Sequence, residues 1–183
     1  MTHLRDATPA DKGTLLRWRN SPEVARYMYT DHVISEEEHE RWFARAMSDP
    51  AKRYWIVSVD EQDVGLANIS DLDRRQGTCS WAFYIAEPLA RGRGTGAAVE
   101  FLVISYVFGE LNLRKLWCEV LGFNRPVVRL HQRFGFQIEG TLRAHVIKDG
   151  APMDVIRMGL LREEWETLKP ALEEELKKKG ILG

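Results

Sequence analysis

Hydrophobic residues along this chain follow two periods, and the switches between them outline the elements. "HLRDAT" alternates weakly and predicts a first strand. "PADKGTLLRWRN" opens on a proline and carries Leu15, Leu16 and Trp18, which predicts a helix ended by Asn20-Ser21-Pro22. A short helical piece follows toward Tyr27. The clearest helix is "ISEEEHERWFARAMSDP": Ser35 and Glu38 have capping-box spacing, Pro50 follows the end, and His39, Trp42, Phe43 and Ala46 share one face. "RYWIVSVD" and "VGLANISDLD" then alternate as strands of a hairpin, and "TCSWAFYIAE" is a third strand beside them.

After Pro88 the period returns to that of a helix. Val99, Leu102, Val103, Tyr106 and Val107 mark one face of about four turns. "RKLWCEVL" reads as a buried strand, and "NRPVVRLHQRFG" as a short helix stopped by Gly135. "FQIEGTLRAHVI" and "PMDVIRMGLL" flank Lys148-Asp149-Gly150, a hairpin turn signal. The last element, about 162–179, is a helix with Glu173/Lys177, Glu174/Lys178 and Glu175/Lys179 at supportive spacing, the pattern of a solvated face. Strand, helices, three antiparallel strands, helix, strand, helix and two strands make an α/β chain with a mixed sheet. Strict β-α alternation is missing, so a doubly wound fold is excluded.

Composition narrows the class without choosing a function. The 183 residues predict one domain, 1–183, with a real core. Hydrophobic residues make up 44% and charged residues 29%, and the formal net charge of −1 gives no reason to expect a nucleic-acid partner. No apolar run is long enough to span a membrane, and the opening residues lack the apolar core of a leader, so the expectation is a cytoplasmic protein. Cys79 and Cys118 make neither a disulfide framework nor a metal site, and no metal is expected.

Three glycines concentrate the chemistry. "ARGRGTGAAVE" places Gly92, Gly94 and Gly96 beside Arg91 and Arg93, after a strand and before an apolar helix. Ordering such a run costs backbone entropy. A Walker A loop would need a Lys that is absent, and the dinucleotide fingerprint has a different spacing and place in the chain. What remains is either a tight strand-to-helix turn or a set of bare amides at a helix start, facing an anion.

Arg91-Gly-Arg-Gly-Thr-Gly96 resembles the coenzyme A motif of the GCN5-related N-acetyltransferases. Asn124 followed by "VVRLHQRFGF" resembles that family's second motif, and the element order agrees over nearly the whole chain. The resemblance implies a mixed, mostly antiparallel twisted sheet flanked by helices. It implies acetyl-coenzyme A as co-substrate, with Ala86, Arg91, Gly92, Arg93, Gly94, Thr95, Gly96 and Asn124 as its binding residues. The strand Trp81–Glu87 would hold the pantetheine arm through backbone hydrogen bonds.

The implied reaction is direct attack of an amine on the thioester. Glu119 is the first candidate base: alternation sets Trp117 and Glu119 on one face of their strand and Leu116, Cys118 and Val120 on the other. The competing account is a carboxylate paired with an Arg or Lys on a neighbouring strand. His131 stands two helical turns from Asn124, where many relatives have a Tyr that protonates the leaving sulfur. It is a candidate acid or base, or else a histidine of the helix surface. Cys118 as a covalent acyl carrier is disfavoured, because it faces away from Glu119.

On the acceptor side, "RWRN", "YMY" and the residues around Glu119 resemble the branch of the family that acetylates the 4-amino group of a UDP-linked dideoxy amino sugar in pseudaminic-acid biosynthesis. That likeness implies Arg19, Met28, Tyr29, His39, Trp42 and Trp81 as acceptor contacts, with Glu119 beside them. His39 and Trp42 serve equally well as core residues of their helix. Other branches acetylate ribosomal-protein N-termini, polyamines or antibiotics, and a non-catalytic coenzyme A-binding module is the alternative of a different class. A small-molecule amine is the expected partner, and the oligomeric state, a homodimer included, is open.

Overall fold

The computed structural model describes residues 1–183. It contains strands β1 (Thr2–Asp6), β2 (Arg53–Val59), β3 (Gln62–Asp73), β4 (Thr78–Ile85), β5 (Lys115–Leu121), β6 (Gln137–Lys148) and β7 (Ala151–Leu161). The helices are α1 (Lys12–Asn20), α2 (Pro22–Ala25), α3 (Glu36–Ser48), α4 (Thr95–Ser105), α5 (Arg125–Arg133) and α6 (Arg162–Lys178). All strands join one sheet in the order β1-β2-β3-β4-β5-β7-β6. Every neighbouring pair is antiparallel except β4 and β5.

That parallel pair builds the site. β4 and β5 pair only at Thr78–Lys115, Cys79–Leu116 and Ser80–Trp117. Beyond Ser80 and Trp117 the strands separate, so their remaining backbone groups on the facing edges have no ladder partner. The hairpin turns Asp60-Glu61 and Asp149-Gly150 have positive φ at every residue, as a two-residue hairpin turn requires. β3 carries a bulge between Ser70 and Asp73, with Asp71 left-handed at φ 51°.

The main core packs α4, α5 and α6 against the sheet. Ile104, Leu116, Phe134, Met158, Leu160, Trp165 and Leu176 are almost wholly buried in it. A smaller core beneath α1 and α3 contains Leu15, Trp18, Val24, Phe43, Ile56, Leu66 and Ala86. Truncating one such aliphatic side chain to alanine costs about 2–5 kcal/mol. α4 is apolar on nearly every side because it is enclosed, and it runs into a π-helical turn at Tyr106–Glu110 that extends the predicted four turns. In α3, Ser35 caps Glu38 N–H at 3.1 Å. The other half of the predicted capping box is missing: the Glu38 carboxylate goes to His32 instead, at 2.9 Å.

Candidate active site

The separation of β4 from β5 opens a cleft of about 770 Å³. The glycine loop and the start of α4 form one end, α5 one wall, and the segment Tyr27–Tyr29 the opposite rim. Side-chain alternation gives the cleft two different faces. Trp81 and Phe83 of β4 stack on one another, with centroids 5.4 Å apart, on the face covered by α5. Trp81 packs edge-on to His131 there at 5.2 Å, and Cys118 of β5 is buried on the same side. Ser80 and Tyr84 of β4 point the other way, where Ser80 Oγ meets Ser70 Oγ at 2.7 Å and Tyr84 packs against Trp18. Glu119 of β5 shares that second face, bonded to Tyr29.

The loop end suits an anion. Gly92 and Gly94 have φ of 74° and 83°, in the left-handed region that side chains avoid. Gly94 is the N-cap of α4, and no side chain caps this helix. The amides of its first turn therefore have no intrahelical acceptor and carry the positive end of the helix dipole. Nothing lies within 4 Å of where a Cβ of Gly92 would be. Gly94 has a packing task as well, since a Cβ there would come within 2.7 Å of Ile181.

Glu119 is held from two sides. Its Oε1 is 2.9 Å from Nη2 of Arg157, directly across the ladder on β7. Its Oε2 accepts the Tyr29 hydroxyl at 2.8 Å. Arg157 lies over the Trp117 ring at 3.8 Å, which fixes the guanidinium. Burial, and then the bond to Glu119, push the Tyr29 hydroxyl well above the usual phenol range, so it remains a donor. Glu119 is thus both a cleft-lining carboxylate and the partner of a neighbouring arginine.

His131 is no surface histidine. It is 4% exposed, and its Nδ1 lies 2.7 Å from Oε1 of Glu100, a residue of α4 with no exposed surface. Burial alone would lower the imidazole, but the charge of Glu100, aided by Cys118, outweighs it and raises the group to about 10.

A family model described as an acetyltransferase (GNAT) domain matches residues 2–137. The chain belongs to the GNAT family of acetyltransferases. A prophage-derived uncharacterized N-acetyltransferase of Bacillus subtilis, YokL, is 33% identical over 145 residues, covering 79% of this chain and 81% of its own. The acetyltransferase PseH of Campylobacter jejuni is 29% identical over 124 residues, covering 68% and 75%. Among solved structures, spermidine N-acetyltransferase from Vibrio cholerae, in complex with CoA and spermine, superposes with a TM-score of 0.83 at 23% identity, covering 90% and 98%. The protein is an acetyl-coenzyme A-dependent N-acetyltransferase with the GNAT fold.

For this GNAT enzyme the residues fit the co-substrate. The uncapped helix start and the open space at Gly92 form an anion cradle for the pyrophosphate, and the free edge of β4 offers backbone partners to an extended arm. Arg91, Gly92, Gly94, Thr95, Gly96 and Asn124 all line the cleft. Arg91, however, turns back, its guanidinium donating to the carbonyls of Ile85 and Ala86 at 2.9–3.2 Å, so it braces the loop. Arg93 is exposed and outside the cleft lining, and the Ala86 side chain is buried in the smaller core. No group of three His, Cys, Asp or Glu is placed to hold a metal ion, and no helix is long and apolar enough to cross a membrane.

The expected acceptor residues divide. Met28, Tyr29 and Trp81 line the cleft, Trp81 from the face of α5. His39 and Trp42 do not: His39 is 3% exposed, stacks on Trp42 and donates Nε2–H to the Lys12 carbonyl at 2.9 Å. Burial lowers its imidazole, so it has no charge to offer a diphosphate. His39 is buried and Trp42 is half-buried against the smaller core, because the helix face that carries them is the one that packs. Arg19 lies just behind the lining, bonded through Nη2 to Thr30 Oγ1 at 3.0 Å and paired with no carboxylate. Its electrostatic neighbour is Tyr84, whose buried hydroxyl has no hydrogen-bond partner. Glu100, Arg157 and Tyr84 escaped the sequence reading. Glu100 had a signal, being the lone charge in "TGAAVEFLVIS".

Proposed function

We propose that the acceptor is a small amine carrying an anionic group, and that it is the 4-amino group of a UDP-linked amino sugar. The observation that carries this reading is the half-buried, unpaired guanidinium of Arg19 beside the unpartnered hydroxyl of Tyr84. A buried charge without a counterion and a buried donor without an acceptor are both costly, and an anionic substrate oxygen relieves both. The cleft-lining aromatics Tyr27, Tyr29 and Tyr84 suit a sugar face or a uracil ring. The likeness to PseH agrees with this choice.

Acetyl-coenzyme A supplies the acetyl group as a thioester. Glu119, on the acceptor face, orients the ammonium and takes its proton directly or through water, with Arg157 and Tyr29 fixing the carboxylate. His131, which lines the cleft from the opposite face, is the acid for the departing sulfur in this reading. A polyamine acceptor is the second reading, favoured by the carboxylates of Glu23, Asp71 and Glu119 on the cleft wall.

A thiol-release assay over UDP-amino sugars, polyamines and peptide N-termini separates the two. The expected result is turnover of the sugar nucleotide. In Arg19→Ala its KM should rise by the worth of a charge-assisted hydrogen bond, about 1.5–3 kcal/mol, with acetyl-coenzyme A kinetics constant. Turnover of a polyamine alone, with no acceptor effect of Arg19→Ala, would sink the proposal. Binding of acetyl-coenzyme A without turnover of any amine would make the chain a non-catalytic module.

A further inference from the structure

One buried charge has no task in the chemistry so far. Glu100 lies on α4 about a turn and a half beyond the glycine loop, and none of its surface is exposed. Oε1 meets His131 Nδ1 at 2.7 Å, and Oε2 has no partner. Removing a carboxylate from water costs several kcal/mol, and an apolar pair of similar volume would join α4 to α5 at least as stably. A half-satisfied ion pair in an otherwise apolar helix is therefore a poor device for stability alone.

His131 also borders the cleft. The groups facing it are Glu100 from α4, Cys118 from β5, the rings of Trp81 and Phe83 from β4, and Phe136 after α5. The only further charge acting on the pair is Arg133, on α5 itself, which acts on Glu100. With Nδ1 engaged by Glu100, Nε2 is the nitrogen left for the Cys118 thiol beside it and for a group entering the cleft.

We propose that Glu100 is a positioning residue that keeps His131 an imidazolium, so that His131 can give its Nε2 proton to the sulfur of coenzyme A as the thioester breaks. This rests on His131 being the acid of the proposed reaction. The amine nitrogen bonds to the acetyl carbon as the C–S bond breaks. Sulfur keeps the bonding pair and takes the Nε2 proton. Glu119, having passed the ammonium proton to solvent before the attack, takes the surplus proton on nitrogen, and solvent restores both groups.

The electrostatics agree with the geometry. Burial alone raises Glu100, with His131 drawing it back, and His131 itself is raised to about 10. The pair therefore retains its proton through neutral pH. A thiol resembling that of cysteine titrates at about 8.5, roughly 1.5 units below the donor, so His131 stays charged at neutral pH but is the weaker acid of the two.

The test uses Glu100→Gln, which keeps the size and can still bond Nδ1 but carries no charge. Two readouts are needed: the ring titration of His131 by NMR, and the pH profile of kcat by thiol release. In the native protein His131 should titrate near 10, and kcat should decline on the same limb. In the variant both midpoints should fall to about 6.5 or below, because burial is no longer opposed by the Glu100 charge, so that at pH 8.5 no more than about 1% of His131 is protonated and kcat is at least about 100-fold lower. Glu100→Asp, which restores the charge, should recover much of the alkaline activity. An unchanged His131 midpoint in Glu100→Gln overturns the role of Glu100. A shifted midpoint with an unshifted kcat profile overturns the use of His131 as acid, and the proposal with it, while leaving the acceptor assignment intact. If Glu100→Gln does not fold, a native His131 midpoint below about 8 is enough to refute the idea.

Discussion

Alanine at Gly94 and alanine at Gly92 should have opposite balances of stability and binding. Both residues are left-handed, at φ of 83° and 74°, so each substitution carries a backbone cost of about 1–2 kcal/mol. Only at Gly94 does the new Cβ strike anything, lying 2.7 Å from Cδ1 and Cγ1 of Ile181. Forcing that side chain aside adds about 1–3 kcal/mol. Gly94→Ala should therefore cost about 2–5 kcal/mol and Gly92→Ala about 1–2. For a chain of this size each kcal/mol lowers Tm by roughly 2–4 °C, which gives about 4–20 °C against about 2–8 °C. Adding Ile181→Ala to Gly94→Ala should recover about 1–3 kcal/mol in a double-mutant cycle read by thermal denaturation. Gly92→Ala, whose methyl group enters open space beside the cleft, should weaken acetyl-coenzyme A by at least about tenfold in calorimetry, equivalent to about 1.4 kcal/mol. Equal Tm losses for the two variants, or no recovery in the cycle, would refute the packing argument. Unchanged affinity of a folded Gly92→Ala would refute the anion cradle.

Two further outcomes follow from named contacts. Glu119→Gln should lower kcat by about 10²–10⁴-fold with acetyl-coenzyme A affinity nearly constant, and a rate close to native at every pH would remove Glu119 as base. Asp11 is held below the usual carboxylate range by its bonds to the Arg5 guanidinium at 2.7 and 2.9 Å, so its contribution is present above about pH 4 and is lost as pH falls. Asp11→Asn should cost about 1–2 kcal/mol at pH 7 and nothing once acid has protonated the native carboxylate; a gap in Tm that persists at pH 2 would contradict this.

Much of the architecture was legible because it is written in local periods. α3, the hairpin β2–β3, the hairpin β6–β7 and the glycine loop before α4 each rest on spacing or turn chemistry within about twenty residues of chain. The site was legible where a motif is contiguous, as in Gly92–Gly96, or where alternation decides a face, as for Glu119. It was obscure where two distant residues decide the chemistry. Arg157 meets Glu119 across a ladder, and Glu100 meets His131 between two helices; neither pairing has a local signature. His39 and Trp42 show a different limit, since a helical stripe of aromatics looks the same whether it meets a core or a ligand. Arg91 is a third kind: its charge was visible, but its return to the carbonyls of Ile85 and Ala86 depends on how the loop closes.

The short union of β4 and β5 has a consequence for hydrogen exchange. Along β4 between Trp81 and Ile85, successive amides point alternately toward β3 and toward the gap. The first set is locked in a ladder; the second has only water to bond. One continuous strand should therefore carry two exchange rates in strict alternation, slow and fast, a pattern that neither a frayed strand nor a uniformly protected one can produce. A ligand lying along the gap slows only the fast set. The residues whose rates drop would then mark, amide by amide, how far along the strand that ligand extends.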